Sequence, residues 1–406
     1  MRIGRTIPPA AAPVTVRDLF RGTSGLFHDG YLGKFENEIR RYFGSSFVFL
    51  TSSGKTALVL ILQGLSSLRA RKKVLIPAYT CYSVPSAIVK SGLEIVLCDV
   101  NPDTLDFDYD QLERLVDDKT LCIVSTHLLG IPSDVERTRR ICGEKGIFLL
   151  EDAAQAMGVE NAGRKLGTLG DVGFFSLGRG KNISCGSGGI ILTSSVEIAE
   201  SIRKFHSELN REPARKCARS VVEAFFMKVF LNPFLYWIPY GLPFLHIGET
   251  RFNSVFPEYR LSNFKAGLLR SWRERMEQYS RCRKLNGRYY KEAFALGKEK
   301  KIYSLDLPYL RFPVYANDPN GKSRACALYG NLGVSSMYPD SLNRIEPLRE
   351  YFGRFECPGA ERVASTLMTL PTHMIVRERD RDRICEVLEP YCGTCEGDRA
   401  PSQASR

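Results

Sequence analysis

The sequence predicts an α/β protein: a large domain with a mostly parallel sheet covered by helices, then a smaller C-terminal α+β domain. Between about residues 46 and 195, short β-branched and aromatic runs alternate with helical patterns. Strands alternating with helices argue for a parallel sheet with helical cover. The strand runs are continuously apolar, as strands buried on both faces must be. Beyond about residue 259 the character changes to long, basic, amphipathic patterns.

In order, the strand runs are SFVFL, KKVLIP, EIVLCDV, LCIVS, GIFLLED, VGFFS and GIILTS. Helical patterns between them include TALVLILQGLSSL, SVPSAIVKSG and SDVERTRRICGEKG. From Tyr259 to Phe294 the chain reads as one long amphipathic helix with a solvated basic face. A strand at YLRFPVYA, a helix near KSRACALYGNLG and a last helix near VRERDRDRICEVLEP follow. The domains are therefore 1–258, 259–395, and a disordered tail at 396–406.

Residues 229–248 form an insert without Asp, Glu, Lys or Arg. Its length nearly suits a membrane helix, but Pro233, Pro239, Pro243 and Gly241 would break one. Its aromatic content beside the basic stretch at 203–219 suits either a subunit interface or peripheral contact with acidic lipid.

The chain has 406 residues, with 57 Lys+Arg against 45 Asp+Glu, a formal charge of +12. That surplus points to an anionic partner, although solvated surface charge explains it as well. With 44% apolar and 25% charged residues, disorder cannot be the general state. The 12 cysteines are mostly scattered in apolar runs, the pattern of reduced, buried thiols and hence of a cytoplasmic protein. Cys392 and Cys395 form a lone CxxC, a weak metal or redox signal; no metal site is expected. The N-terminus carries no apolar core of a secretory signal.

Four segments at strand ends carry chemistry. Ser52-Ser53-Gly54-Lys55 precedes a helix, where small residues let backbone N–H groups meet a phosphate. Asp152 follows the apolar run GIFLL and needs a cationic partner to stay ionised. Lys181 lies in the Gly-rich loop after VGFFS, where a shielded amine becomes nucleophilic. Tyr79 and Tyr82, after KKVLI, could stack on a flat ring.

In order and spacing these segments resemble the DegT/StrS family of pyridoxal-phosphate sugar aminotransferases, of fold type I. The resemblance runs along nearly the whole chain, through EDAAQ, GDVGFFS, Lys181-Asn182-Ile183 and Gly186-Ser187-Gly188-Gly189 to LPTHMIV. It implies that Lys181 binds the cofactor aldehyde and later shuttles the proton. It implies that Asp152 partners the pyridinium nitrogen and that Gln155 lies near the phenolic oxygen. Ser53, Gly54, Lys55 and Ser176 would cradle the phosphate. Arg260 and Tyr338 are candidate substrate residues, and the site would lie at a homodimer interface.

Several positions depart from the family pattern. Cys81 stands where an aromatic ring usually stacks, so Tyr82 or Tyr79 takes that role. Lys55 replaces a usual Thr and could reach the phosphate itself. Ser187 replaces an acid, and Glu258 replaces an Asn expected at the phosphate, so that contact is either lost or taken by Asn263 or Asn253. The usual His beside Tyr338-Pro339 is absent.

The resemblance implies amination of a keto-sugar, nucleotide-linked, with glutamate as donor, for cell-surface polysaccharide or secondary-metabolite sugars. The alternatives are a sugar dehydratase, whose members replace the lysine by histidine, and a non-catalytic cofactor-binding homologue. Nucleic acid is not an expected partner. Localisation is expected to be cytoplasmic, with the inner membrane face as a second site.

Overall fold

The computed structural model describes residues 4–242, 251–297, 300–353 and 355–392. All seven apolar runs are strands of one sheet: β1 (Phe47–Thr51), β2 (Lys73–Pro77), β3 (Glu94–Cys98), β4 (Thr120–Thr126), β5 (Phe148–Asp152), β6 (Val172–Ser176) and β7 (Gly189–Thr193). Their order is β1-β7-β6-β5-β4-β2-β3. Strands β2 to β6 run parallel, and β7 is antiparallel to both β1 and β6. A parallel return needs a crossover, usually a helix. The link at 177–188 holds no helix, so β7 turns straight back.

This topology collects strand ends on one edge. Thr126 pairs with Asp152, Asp152 with Phe174, and Gly189 with both Ser176 and Thr51. Helices cover the sheet: α1 (Val16–Ser24), α2 (Tyr31–Phe43), α3 (Gly54–Leu68), α4 (Ser83–Lys90), α5 (Tyr109–Leu115), α6 (Val135–Lys145) and α7 (Val196–Glu208). Helix α3 buries an unbroken run from Thr56 to Leu62, as a helix enclosed on all sides must.

The basic stretch is split between the end of α7 and the start of α8 (Ala214–Phe230), which runs into the uncharged segment and is followed by turns and the short α9 (Trp237–Tyr240). No described helix is long and apolar enough to cross a membrane. Residues 243–248 of the insert, the tail at 396–406 and Cys395 lie outside the described residues.

The long helix expected from residue 259 is two helices, α10 (Asn263–Leu268) and α11 (Trp272–Ala293). The break follows from packing: Gly267 sits so close to α1 that a Cβ there would lie 2.4 Å from the Arg21 carbonyl oxygen. Nor is the basic face wholly solvated. Arg275 turns inward to Asp18 (3.3 Å), and Arg283 is buried against backbone carbonyls. The C-terminal part pairs β8 (Arg311–Tyr315) antiparallel with β9 (Leu367–Pro371), with helices Pro319–Tyr329, Pro358–Thr366 and Glu378–Leu388 around them.

Candidate active site

Strand β5 ends in two buried acids on opposite faces. Glu151 faces inward. Its Oε1 accepts N–H bonds from Leu169 (2.5 Å) and Gly170 (2.6 Å), and its Oε2 accepts one from Gly167 (2.8 Å). His127 completes the set: Nδ1 accepts from the Ser133 N–H at 3.2 Å, so Nε2 carries the proton donated to Glu151 at 2.9 Å. Burial alone would raise the Glu151 carboxyl, but these donors hold it below the usual range. Glu151 therefore moors the 167–170 loop, which leads into β6.

Asp152 points to the opposite face of β5. Burial pushes its carboxyl up; the Ala154 N–H (3.0 Å) and the charge of Lys181 pull against that. An acid so placed is poised for one further cationic partner.

Ser53, Gly54 and Ser176 meet at the start of α3. The Ser53 hydroxyl caps the helix by accepting the Thr56 N–H at 3.1 Å. A Cβ on Gly54 would lie 3.0 Å from the Ser176 Cβ. The first N–H groups of α3 lack intrahelical acceptors, and the helix dipole adds positive potential there. Lys55 directs its Nζ over the Phe256 ring, 4.2 Å from the centroid, and Lys90 lies over the same ring at 4.8 Å. Burial, then Lys90, lower the Lys55 ammonium, against the influence of Cys81. Glu258 is paired with Lys90 at 2.9 Å. Asn263 bonds Asp29 at 2.8 Å, and the Asn253 side-chain Oδ1 accepts the Val255 N–H at 2.8 Å.

Gln155 and Tyr338 come together from distant parts of the chain. The Gln155 Nε2 donates to the Tyr338 hydroxyl at 2.8 Å, and its Oε1 accepts the Leu129 N–H at 3.0 Å. Tyr82 stacks on Tyr338 with centroids 6.3 Å apart, and its hydroxyl exchanges two 3.1 Å bonds with the Asp340 backbone. Tyr79 meets Tyr338 edge-on at 5.3 Å. Burial pushes the Tyr82 hydroxyl up to about 12. Arg260 is not brought to this cluster; its Nη2 donates to the Ser207 carbonyl at 2.6 Å.

The Lys181 loop is fixed from behind. Arg283 donates to the carbonyls of Lys181 (3.3 Å) and Asn182 (3.2 Å). Beside it, buried Lys265 donates to Glu212 (2.5 Å) and to Ser187 (2.9 Å), so Glu212 supplies the acid that residue 187 lacks. Sequence reasoning assigned no role to His127, Arg283, Glu212 or Lys265. The only available hint was the position of Glu151 immediately before Asp152.

A model of the DegT/DnrJ/EryC1/StrS aminotransferase family matches residues 23–389. The chain belongs to this family. It is 30% identical to the GDP-perosamine synthase of Vibrio cholerae over 165 residues, which cover 41% of this chain and 45% of that relative. The match thus spans less than half of that relative's length. Among solved structures it resembles Helicobacter pylori PseC, an aminotransferase of pseudaminic acid biosynthesis, with a TM-score of 0.76, 16% identity and coverage of 95% and 99% of the two chains. It also resembles the E. coli GDP-4-keto-6-deoxy-D-mannose-3-dehydratase with bound hydrated PLP (TM-score 0.74, 19% identity, coverage 95% and 100%). These likenesses confirm the fold type I architecture.

Pyridoxal phosphate is the cofactor of this family's enzymes. The residues present fit it: a helix start with a hydroxyl for the phosphate, a buried acid short of a cation for the ring nitrogen, and a lysine whose charge reaches that acid.

Proposed function

We propose that this enzyme transfers an amino group from glutamate to a nucleotide-linked keto-sugar destined for cell-surface polysaccharide or a secondary metabolite. The observation that supports this best is that Asp152 is buried at the end of β5 and that Lys181, on the loop after β6, is close enough for its charge to act on the carboxyl. When bound, pyridoxal phosphate supplies an electron sink for the carbon that loses its proton. Asp152 keeps the ring nitrogen protonated. The N–H groups of Gly54 and Lys55 and the Ser176 hydroxyl hold the phosphate. Lys181 supplies the amine that anchors the cofactor and then accepts and returns the proton. Gln155, held by Leu129 and Tyr338, would meet the phenolic oxygen, and Tyr82 or Tyr79 would flank the ring. A lysine at 181, rather than histidine, favours transfer over dehydration.

The protein is proposed to act as a homodimer. Its apolar residues on α1 and α8, Val16, Phe20, Val222, Phe225 and Phe226, are all more than half exposed and suit a second subunit. The second candidate for α8 and the insert is acidic lipid. Flotation with acidic liposomes decides between them: a protein that stays at the bottom leaves only the subunit interface.

Borohydride reduction with pyridoxal phosphate, followed by peptide mass mapping, tests the chemistry. Covalent label is expected on Lys181 and should vanish in Lys181→Ala. An unlabelled wild type overturns the reading. Glutamate should then protect the wild type from labelling by converting the cofactor to its amine.

A further inference from the structure

Arg311 opens β8 close to Gln155. The neighbouring Leu310 N–H donates to the Leu129 carbonyl at 2.8 Å, and the Leu129 N–H donates to Gln155. The Arg311 charge acts on Tyr79 and Tyr236, and Tyr338 in turn acts on it. Its Nη1 lies 3.7 Å from the Met337 sulfur. Its Nε and Nη2 are buried and have no hydrogen-bond partner among the described residues. Arg311 also makes no ion pair there, while its strongest electrostatic neighbours are phenols and a thiol.

Those two atoms are the side-on edge of the guanidinium. Their N–H bonds run parallel and match the two oxygens of a carboxylate. A guanidinium edge buried without an acceptor is costly, and an incoming anion recovers the cost. The α3 start already serves a phosphate, whereas Arg311 sits among rings and Met337, a setting suited to a small planar anion.

We propose that Arg311 is the receptor for a carboxylate of the amino donor, taking one oxygen on Nε and the other on Nη2. The proposal rests on the aminotransferase reading, because it places the donor beside Gln155 and Tyr338. The rings that shut the edge from water must part to admit it. Tyr236, one of these rings, is carried on the insert rather than on the sheet.

Glutarate, a dicarboxylate with no amino group to react, is the probe. Calorimetric titration of the full chain loaded with pyridoxal phosphate should detect binding. In Arg311→Gln and Arg311→Lys the affinity should fall about tenfold or more, because a lysine ammonium cannot serve both oxygens. Thermal midpoints should stay close to wild type, since no protein partner is lost. Unchanged glutarate affinity in Arg311→Gln overturns the proposal, as does a wild type that binds no glutarate. Midpoints lowered by about 10 °C or more in both variants assign the side chain to the fold and overturn it too. Loss of labelling at Lys181 with the glutarate result intact overturns the aminotransferase reading and leaves the carboxylate receptor standing.

Discussion

At the scale of single residues, the two adjacent acids of β5 do opposite things. Glu151 is saturated with donors, so Glu151→Gln would turn an amide N–H₂ toward backbone N–H groups. That should cost about 2–4 kcal/mol in denaturant titration at neutral pH. A carboxyl held below its unfolded value stabilises the fold above that value and loses the contribution as pH falls through the folded one. The wild type and Glu151→Gln should therefore approach each other in stability as the pH falls below about 4.3, the ordinary glutamate value. Asp152 is displaced the other way. A carboxyl raised by burial destabilises the cofactor-free fold above its unfolded value, and protonation relieves this at lower pH. Asp152→Asn should leave the cofactor-free protein at least as stable as wild type at neutral pH, while activity falls by about three orders of magnitude or more. A cofactor-free thermal midpoint clearly below wild type would refute that account.

At the scale of elements, contacts between segments far apart in sequence hold the site. Gly189 brings β7 against the start of α3, where a Cβ would lie 2.4 Å from the Ser53 carbonyl oxygen and 2.6 Å from the Thr51 hydroxyl. Gly189→Ala must push β1 and β7 apart beside the proposed phosphate cradle. It should weaken pyridoxal phosphate binding, measured by fluorescence titration, more than it weakens the fold. The Lys265–Glu212 pair ties α10 to the link between α7 and α8, with both side chains almost fully buried. Removing one partner leaves a buried charge, so Lys265→Met or Glu212→Leu alone should cost about 3–5 kcal/mol. The double variant should recover most of that loss. Additive losses in the double-mutant cycle would show that the two charges do not act as a pair.

At the scale of the whole molecule, cofactor and fold are linked. At a hundredfold excess over its dissociation constant, pyridoxal phosphate should add about 2.7 kcal/mol of stability. Lys181→Ala should lose most of this gain, which differential scanning would register. The seven strands were legible in the sequence, because continuous apolar runs between helical patterns leave few other arrangements. The sequence also placed Asp152, Ser176 and Lys181 at strand ends, because local order alone puts them there. Only the tertiary structure decided what joins them. The break after Leu268 arises from the close approach of Gly267 to α1, and the burial of Arg275 and Arg283 arises from acceptors supplied by Asp18 and the Lys181 loop. Residues 183 positions apart make the Gln155–Tyr338 bond. Hydrophobic periodicity records which face of a segment is buried, but not which distant donor or acceptor meets it there. That is why the strands were legible in the sequence, whereas the empty edge of Arg311 was not.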